Sequence, residues 1–481
     1  MTKNSIDHNN LIIKADFWII VFLFLFFTFL YNLLAITRHN HFQSYGIDFS
    51  TYDQPLWLLS KFQEPISTIY NLNTLADRFR PIIFPLSLLY WFTQNERIIL
   101  VFQSVILSAA IFPLWLIAKK YLPRILAIII TFLYIDFIGI QSAVVYDFHE
   151  MALLPFFLAW LFYFLINKKW NYYFIFLILC LSIREHVGLL LSTLGIYIWL
   201  VKKNAKIALA TTFTSFIYSI IAIKLIMPTF GQTDYSSFTY QGDSLENALL
   251  AYISHPSTII SNFFFPIQKS QTLLLSFLSF GLIPILYLAL IPTIIFQFLS
   301  RFLDQLHPIR WTLYYHYSVE LAVLLTISTI FGSKMILKHF EKYKYILLII
   351  IFLLLSIHLS TNIILNAPLK NLLNPQFYKN ETWMDNTRKI LSIVPDNASV
   401  AAQNNLLPHL SHRKEIYLLP KINNADYIVV DLHPGQNNWN FYTEDLEKTR
   451  SLFNQLIINR LYEPIASAGN AYLLRKTNFD K

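Results

Sequence analysis

Cysteine, glycine and charge are all scarce in this chain. Of 481 residues, one is cysteine, ten are glycine and 14% are charged. The lone Cys180 lies inside an apolar run, so this chain by itself can build neither a disulfide nor a thiolate metal cluster. So little glycine argues against spans seamed through Gly-xxx-Gly contacts. No short-period repeat and no low-complexity segment is present. The first apolar run, Phe17 to Ile36, follows Lys14 as a signal peptide would, but it is followed by no small-x-small cleavage site. At about twenty residues it is long for a signal core, and it is expected to remain as a transmembrane helix.

What is abundant is apolar and aromatic. Hydrophobic residues make up 55% of the chain and aromatic ones 17%. They come in runs of about twenty, the length at which a helix spans roughly 30 Å of hydrocarbon. The net charge of +9 is read as topology, because basic residues mark cytoplasmic helix ends, and a nucleic-acid partner is excluded on that basis. The clusters are Lys14, Lys119-Lys120, Lys168-Lys169, Lys202-Lys203 with Lys206, and Lys334 to Lys344. Counting spans between them gives about eleven helices, with the N-terminus inside a cell membrane and the chain leaving it for good near Asn362.

On this count a first outside loop covers 38–96 and a second covers 228–270. Within them Pro81 to Phe92 is too short to span and reads as interfacial, and Leu245 to Phe265 reads as an amphipathic surface helix. Pro284 and Pro292 interrupt 272–306 and are expected to split it into two spans. Beyond 363 the composition turns to Asn, Pro, Asp and Lys with short β-rich runs. Strands are expected at Ser399–Gln403, Glu415–Leu419, Tyr427–Leu432 and Ala471–Arg475, and an amphipathic helix at Glu444–Asn459. The expected architecture is an all-α polytopic bundle over 1–362 with a small extracytoplasmic α/β domain over 363–481.

Three polar clusters fall on the same expected side. Asp48 and Asp53 follow the first span, where a carboxylate can take a proton from an attacking hydroxyl; Asp53 before Gln54-Pro55-Leu56 also fits a helix N-cap. Asp77-Arg78-Phe79-Arg80-Pro81 offers two guanidiniums able to grip phosphate, whether on a substrate or on lipid headgroups. Asp147, His149 and Glu150 close one apolar helix, and Arg184-Glu185-His186 close another, which puts acid, base and cation at one depth. The plainer alternative is an ion-pair network tying helix ends together, for example Arg184 with Asp147. Metal binding through His149, His186 and a carboxylate stays open, although the spacing fits no compact motif. His316, in Leu-Tyr-Tyr-His-Tyr-Ser, is a further site residue, with His307 behind it; an interfacial aromatic belt explains its tyrosine neighbours equally well.

The ordered set Asp48-Phe-Ser-Thr-Tyr-Asp53-Gln54-Pro-Leu-Trp57, Asp77-Arg-Phe-Arg-Pro81, Tyr146-Asp147-Phe-His149, Arg184-Glu185, His316-Tyr-Ser318 and Ser399-Val-Ala-Ala-Gln403-Asn-Asn-Leu-Leu-Pro408-His409 resembles one family almost end to end. It is a family of predicted multi-spanning membrane proteins of bacteria and archaea, catalogued as domain of unknown function 2079 and related to the GT-C glycosyltransferases. The family commonly reads Asp-His-Phe-Ser-Pro where this chain has Arg78 and Arg80, Phe-His-Pro where it has Glu150, and Arg-Glu-Asp where it has His186. The resemblance implies transfer of a sugar from a polyprenyl-phosphate carrier in the bilayer to an acceptor on the outer face, with inversion. Asp48 occupies the place of the family's acidic residue in the first outside loop. Arg78, Arg80 or Arg184 would meet the lipid phosphate, and a divalent ion such as Mg or Mn could assist. A transporter or lipid flippase, and a non-catalytic envelope assembly factor, are the competing readings.

Overall fold

The computed structural model describes residues 3–231, 253–305 and 307–477. The first part of the expected surface helix Leu245 to Phe265, 245–252, lies outside the described residues; the described part includes a helix at Pro256–Phe264. Among the described residues, six helices are long and apolar enough to cross a membrane: Ala15–Asn40, Ile98–Tyr121, Arg124–Val145, Ala205–Thr229, Pro308–His339 and Ile346–Ile364. Glu150–Ile166, Trp170–Leu181, Val187–Lys202 and Leu288–Phe302 are apolar but run only 10–17 residues. At about 1.5 Å per residue they reach at most roughly 25 Å, short of the hydrocarbon thickness. These four, with Ile267–Leu278, stand where the charge pattern leads one to expect the remaining five of about eleven spans. The stretch 272–306 is broken as its prolines require. Helix Ile267–Leu278 ends before Gly281 and Leu282, both at positive φ, and single turns lead into Ile291–Phe302.

The chain divides into two compact units, one of Met1–Tyr31, Gln103–Tyr146 and Glu150–Lys370, the other of Asn32–Phe102, Asp147–His149 and Asn371–Lys481. In the first, which holds most of the apolar helices, glycine is used where helices meet most closely. Gly188 and Gly195 lie seven residues apart on Val187–Tyr197, facing the helix Ala205–Ile221. A Cβ at Gly195 would strike Thr212 and come within 2.9 Å of the Ala208 carbonyl, and one at Gly188 would strike Ser215 and Ser219. A small-residue seam is therefore present despite the scarcity of glycine. Two of the ten glycines suffice, because Ala208, Thr212, Ser215 and Ser219 supply the small partners.

The second unit contains a five-stranded sheet. Val400–Ala402 is flanked in parallel by Ile416–Leu418 and Tyr427–Asp431; Ala471–Lys476 then pairs antiparallel with Tyr427–Asp431 and with the edge strand Tyr462–Ala468. Alternation gives the sheet two faces. Val400, Ala402 and Val429 pack with Met384 and Ile390 of helix Thr382–Leu391, while Ala401, Ile428 and Val430 pack with Leu456 of helix Leu446–Ile458. The edge strand was not legible in the sequence. It carries Pro464 and a bulge between Pro464 and Ala466, features that suit a strand paired on one side only and that erase alternation. The other edge, at Ile416, is met by the loop after the first span: Thr68 both donates to the Ile416 carbonyl at 2.7 Å and accepts from its N–H at 2.9 Å.

Candidate functional site

Asp48 sits in a single π-helical turn, Gly46–Ser50, that runs directly into helix Thr51–Ser60. The Thr51 hydroxyl steadies this turn by donating to the carbonyls of Ile47 at 2.9 Å and Asp48 at 3.2 Å. Turns of this kind are frequent at functional sites. Three residues before Asp48, the Tyr45 N–H donates to Asp147 Oδ2 at 2.9 Å. Four residues after it, the Tyr52 hydroxyl and His149 Nε2 are 2.8 Å apart. The Asp48 segment is thus fastened on both sides to Asp147-Phe148-His149.

Asp147 is buried, and its backbone stands at φ 72°, a region that a residue with a Cβ rarely occupies. Burial raises its carboxyl above the ordinary range, against the lowering pull of the Arg38 charge and of hydrogen bonds from Tyr45 N–H and Ser44. Arg38 Nη1 lies 3.9 Å from Asp147 Oδ1. A cation beside Asp147 is thus Arg38, in the last turn of the first helix. Arg184, offered from the sequence as a partner of Asp147, lies 3.6 Å from Glu150 and 3.8 Å from Glu185.

Of the two arginines in Asp77-Arg78-Phe79-Arg80, Arg80 is buried. Its Nη2 donates to Asp77 Oδ2 at 2.7 Å, and its guanidinium lies 4.5 Å over the Tyr52 ring. Tyr52 therefore links Arg80, stacked on its face, to His149, bonded at its hydroxyl. Arg78 is half-buried and donates to the Asp77 carbonyl at 2.7 Å.

Asp53 is fully buried within the first turn of Thr51–Ser60 and is not the N-cap, a position held by Ser50 without a side-chain bond. Its carboxylate accepts from the Tyr90 hydroxyl and lies 3.1 Å from His412 Nε2, whose ring stacks on Trp57 at 5.7 Å. Close by, Gly46 allows the loop to approach the Gln403-Asn404-Asn405 segment. Its N–H donates to the Asn404 carbonyl at 2.6 Å, and a Cβ there would lie 2.7 Å from Leu407 Cβ.

Arg184, Glu185, His186 and His316 belong to the helical unit. Glu185 is buried, and its carbonyl accepts from Ser219 at 2.6 Å; His186 begins helix Val187–Tyr197 without a side-chain cap bond. His316 is buried between Tyr146 and Tyr317, with ring centroids at 4.6 and 4.1 Å. Nearby Arg301 donates to Ser318 Oγ at 2.8 Å and to the Tyr317 carbonyl at 3.0 Å. The site residues that sequence reasoning missed are Arg38, Tyr52, Tyr90 and His412. Arg38 read only as the exit of a span, and the two tyrosines were lost among twenty-eight.

A bundle of apolar helices joined to a sheet unit, with buried carboxylate, imidazole and guanidinium groups after the first span, defines a multi-pass membrane protein. The chain belongs to the family described as Predicted membrane protein (DUF2079), whose model matches residues 38–473. No curated protein matches it. Its fold is similar to that of the Archaeoglobus fulgidus oligosaccharyltransferase in complex with Zn and sulfate, at 15% identity and a TM-score of 0.41, over 81% of this chain and 64% of that one. It is also similar to the Archaeoglobus fulgidus oligosaccharyltransferase AglB in complex with an inhibitory peptide and a dolichol-phosphate, at 14% identity and a TM-score of 0.42, over 95% of this chain and 74% of that one. The chain spans less than two thirds of the first of these structures.

Proposed function

We propose that this protein is a membrane-embedded inverting glycosyltransferase of GT-C type, taking a sugar from a polyprenyl-phosphate donor and passing it to an acceptor on the extracytoplasmic face, with residues 363–481 on that face. The observation that carries this reading is the double fastening of the Asp48 turn to Asp147 and His149. It fixes the turn that carries the half-buried Asp48 against the segment that carries Asp147 and His149.

In the reaction the acceptor hydroxyl oxygen attacks the anomeric carbon, and the bond from that carbon to the phosphate oxygen breaks. The electron pair leaves with the lipid phosphate, and the hydroxyl proton passes to Asp48. Arg78 and Arg80 in the loop and Arg184 in the helical unit are the cations proposed to meet phosphate charge. The oxygen donors of Asp48 and Asp147 suit a hard divalent ion such as Mg or Mn, which would add charge stabilisation at the leaving group. His149 is held by Tyr52, His186 and His316 are assigned to substrate contact, and Asp53 to positioning. The transporter or flippase reading draws on Arg301, buried near Glu320 in the helical unit. The assembly-factor reading draws on the sheet unit as a docking surface.

The test is transfer of radiolabelled sugar from polyprenyl-phosphate donors in membranes containing the protein. The proposal requires transfer above that of membranes carrying Asp48→Asn at equal abundance. Equal label in both, with every donor tried, would reject it.

A further inference from the structure

Apart from the groups assigned to transfer, a second cluster lies in the same unit. His39 ends the first span, Glu96 precedes the second, and His409 lies in the turn Leu407–Leu410 beside the sheet. One donor atom from each falls within 4.8 Å of the other two. His39 Nε2 and Glu96 Oε1 are 3.2 Å apart, and the His39 and His409 rings are 4.4 Å apart between centroids. Two donors on one tetrahedral zinc, each at about 2.0–2.1 Å, stand roughly 3.3 Å from one another, so the His39–Glu96 pair already has the spacing of a shared ion, with the His409 donor within 4.8 Å of both.

We propose that His39, Glu96 and His409 bind one divalent transition-metal ion of the zinc class. The donor set, two imidazoles and a carboxylate, is that of His2Glu zinc sites and differs from the all-oxygen sets that Mg or Mn prefer. Several features favour it. His409 Nε2 is buried and has no hydrogen-bond partner among the described residues. On the far side of His39, Nδ1 lies 3.2 Å from Ser44 Oγ, a partner that orients the ring with Nε2 toward Glu96, as outer-shell partners do in metal sites. Glu96 and His409 also line a cavity of about 260 Å³ with Asn40, Arg97 and Arg388, which gives a fourth ligand, water or a small anion, a place to enter. Arg97 stands 3.2 Å from Glu96 Oε1, and this positive surrounding favours an anionic fourth ligand.

This site is independent of the transfer reading and is tested without an activity assay. The full-length protein, purified in detergent with a tag free of histidine and stripped with a chelator, is titrated with Zn2+ and with Co2+ as an absorbing probe. His409→Ala is expected to lose one equivalent of tight Zn2+ and the intense Co2+ bands of a tetrahedral site, whatever other sites hold. Ser44→Ala is expected to weaken binding roughly tenfold, and Asp48→Asn to leave this equivalent in place. Should His409→Ala fail to accumulate, Glu96→Gln, which keeps a polar partner for His39 but loses the charge, is expected to lose the same equivalent. An unchanged metal content in His409→Ala, or in Glu96→Gln if that is the variant obtained, overturns the proposal. So does a wild-type protein that takes up no Zn2+, which would leave an ordinary histidine–carboxylate hydrogen bond.

Discussion

The two units hold buried charge in different ways. In the helical unit Arg184, at a helix end, makes long ion pairs, 3.6 Å to Glu150 and 3.8 Å to Glu185. In the sheet-bearing unit the carboxylates and rings are met by directed bonds from a backbone amide, from phenols and from imidazole. Long, shared ion pairs suit the task of joining helices, since they tolerate small shifts. Short directed bonds fix a side chain's orientation, which is what proton transfer needs. The comparison sets the Arg184 pairs, which suit the joining of helices, against the Asp48 segment, which suits proton transfer, and it can be broken by substitution.

The largest effect is expected at Asp48. Asp48→Asn should lower transfer at least about a hundredfold, the usual loss when a general base is removed, and should leave thermal unfolding in detergent within about 0.5 kcal/mol of the parent. A stable variant with parental turnover would place Asp48 with the structural charges. The helical unit should respond in the opposite sense. Arg184→Ala removes a cation from beside the buried Glu150 and Glu185 and should cost about 3 kcal/mol of stability, read as a lower unfolding midpoint. Because Arg184 is also assigned to phosphate, rescue of stability without rescue of transfer in an Arg184→Ala, Glu150→Gln double variant would separate the two roles.

Glycine gives a matched pair of probes. Gly195→Val in the helix seam places new carbon against Thr212 and the Ala208 carbonyl, Gly46→Val at the Asn404 approach places it against the Leu407 side chain, and each should cost about 1–3 kcal/mol. Gly46→Val should in addition depress transfer beyond its loss of stability, because it moves the Asp48 turn. Gly195→Val should not, when the two are compared at equal folded abundance.

These positions also mark what a single sequence could reveal. Span-length apolar runs and the central strands were readable because both rest on periodic local patterns, as at Tyr427–Asp431 and Ile346–Ile364. The partners of the charged groups were not. Arg38 meets Asp147 across 109 positions of chain, and His412 meets Asp53 across 359, and no local period records such pairings. Asp53 read as a cap because Pro55 follows it, a local signal that the Tyr90 hydroxyl overrides. His39, Glu96 and His409 escaped for the same reason, since metal motifs are recognised by short spacing and these donors come from three distant segments.

The smallest effect is a pH dependence confined to the Asp53–His412 contact. Burial alone would lower the His412 pKa, but the Asp53 charge and hydrogen bond outweigh it, with further help from Glu96, and the ring is raised above its ordinary value. A histidine raised on folding binds its proton more tightly in the folded state. Its stabilising contribution is therefore complete below the unfolded pKa of about 6.5 and is lost as pH climbs through the higher folded value. Between roughly pH 6.5 and 8.5 the unfolding midpoint of the parent should fall by more than that of His412→Gln, which keeps a donor for Asp53 but cannot titrate. The difference should be smaller than the cost of Gly46→Val, because Tyr90 continues to bond Asp53 after the ring is neutral. Superimposable pH profiles would mean that His412 carries no extra proton in the folded protein, and that Asp53 is held by the Tyr90 hydroxyl and by a neutral ring.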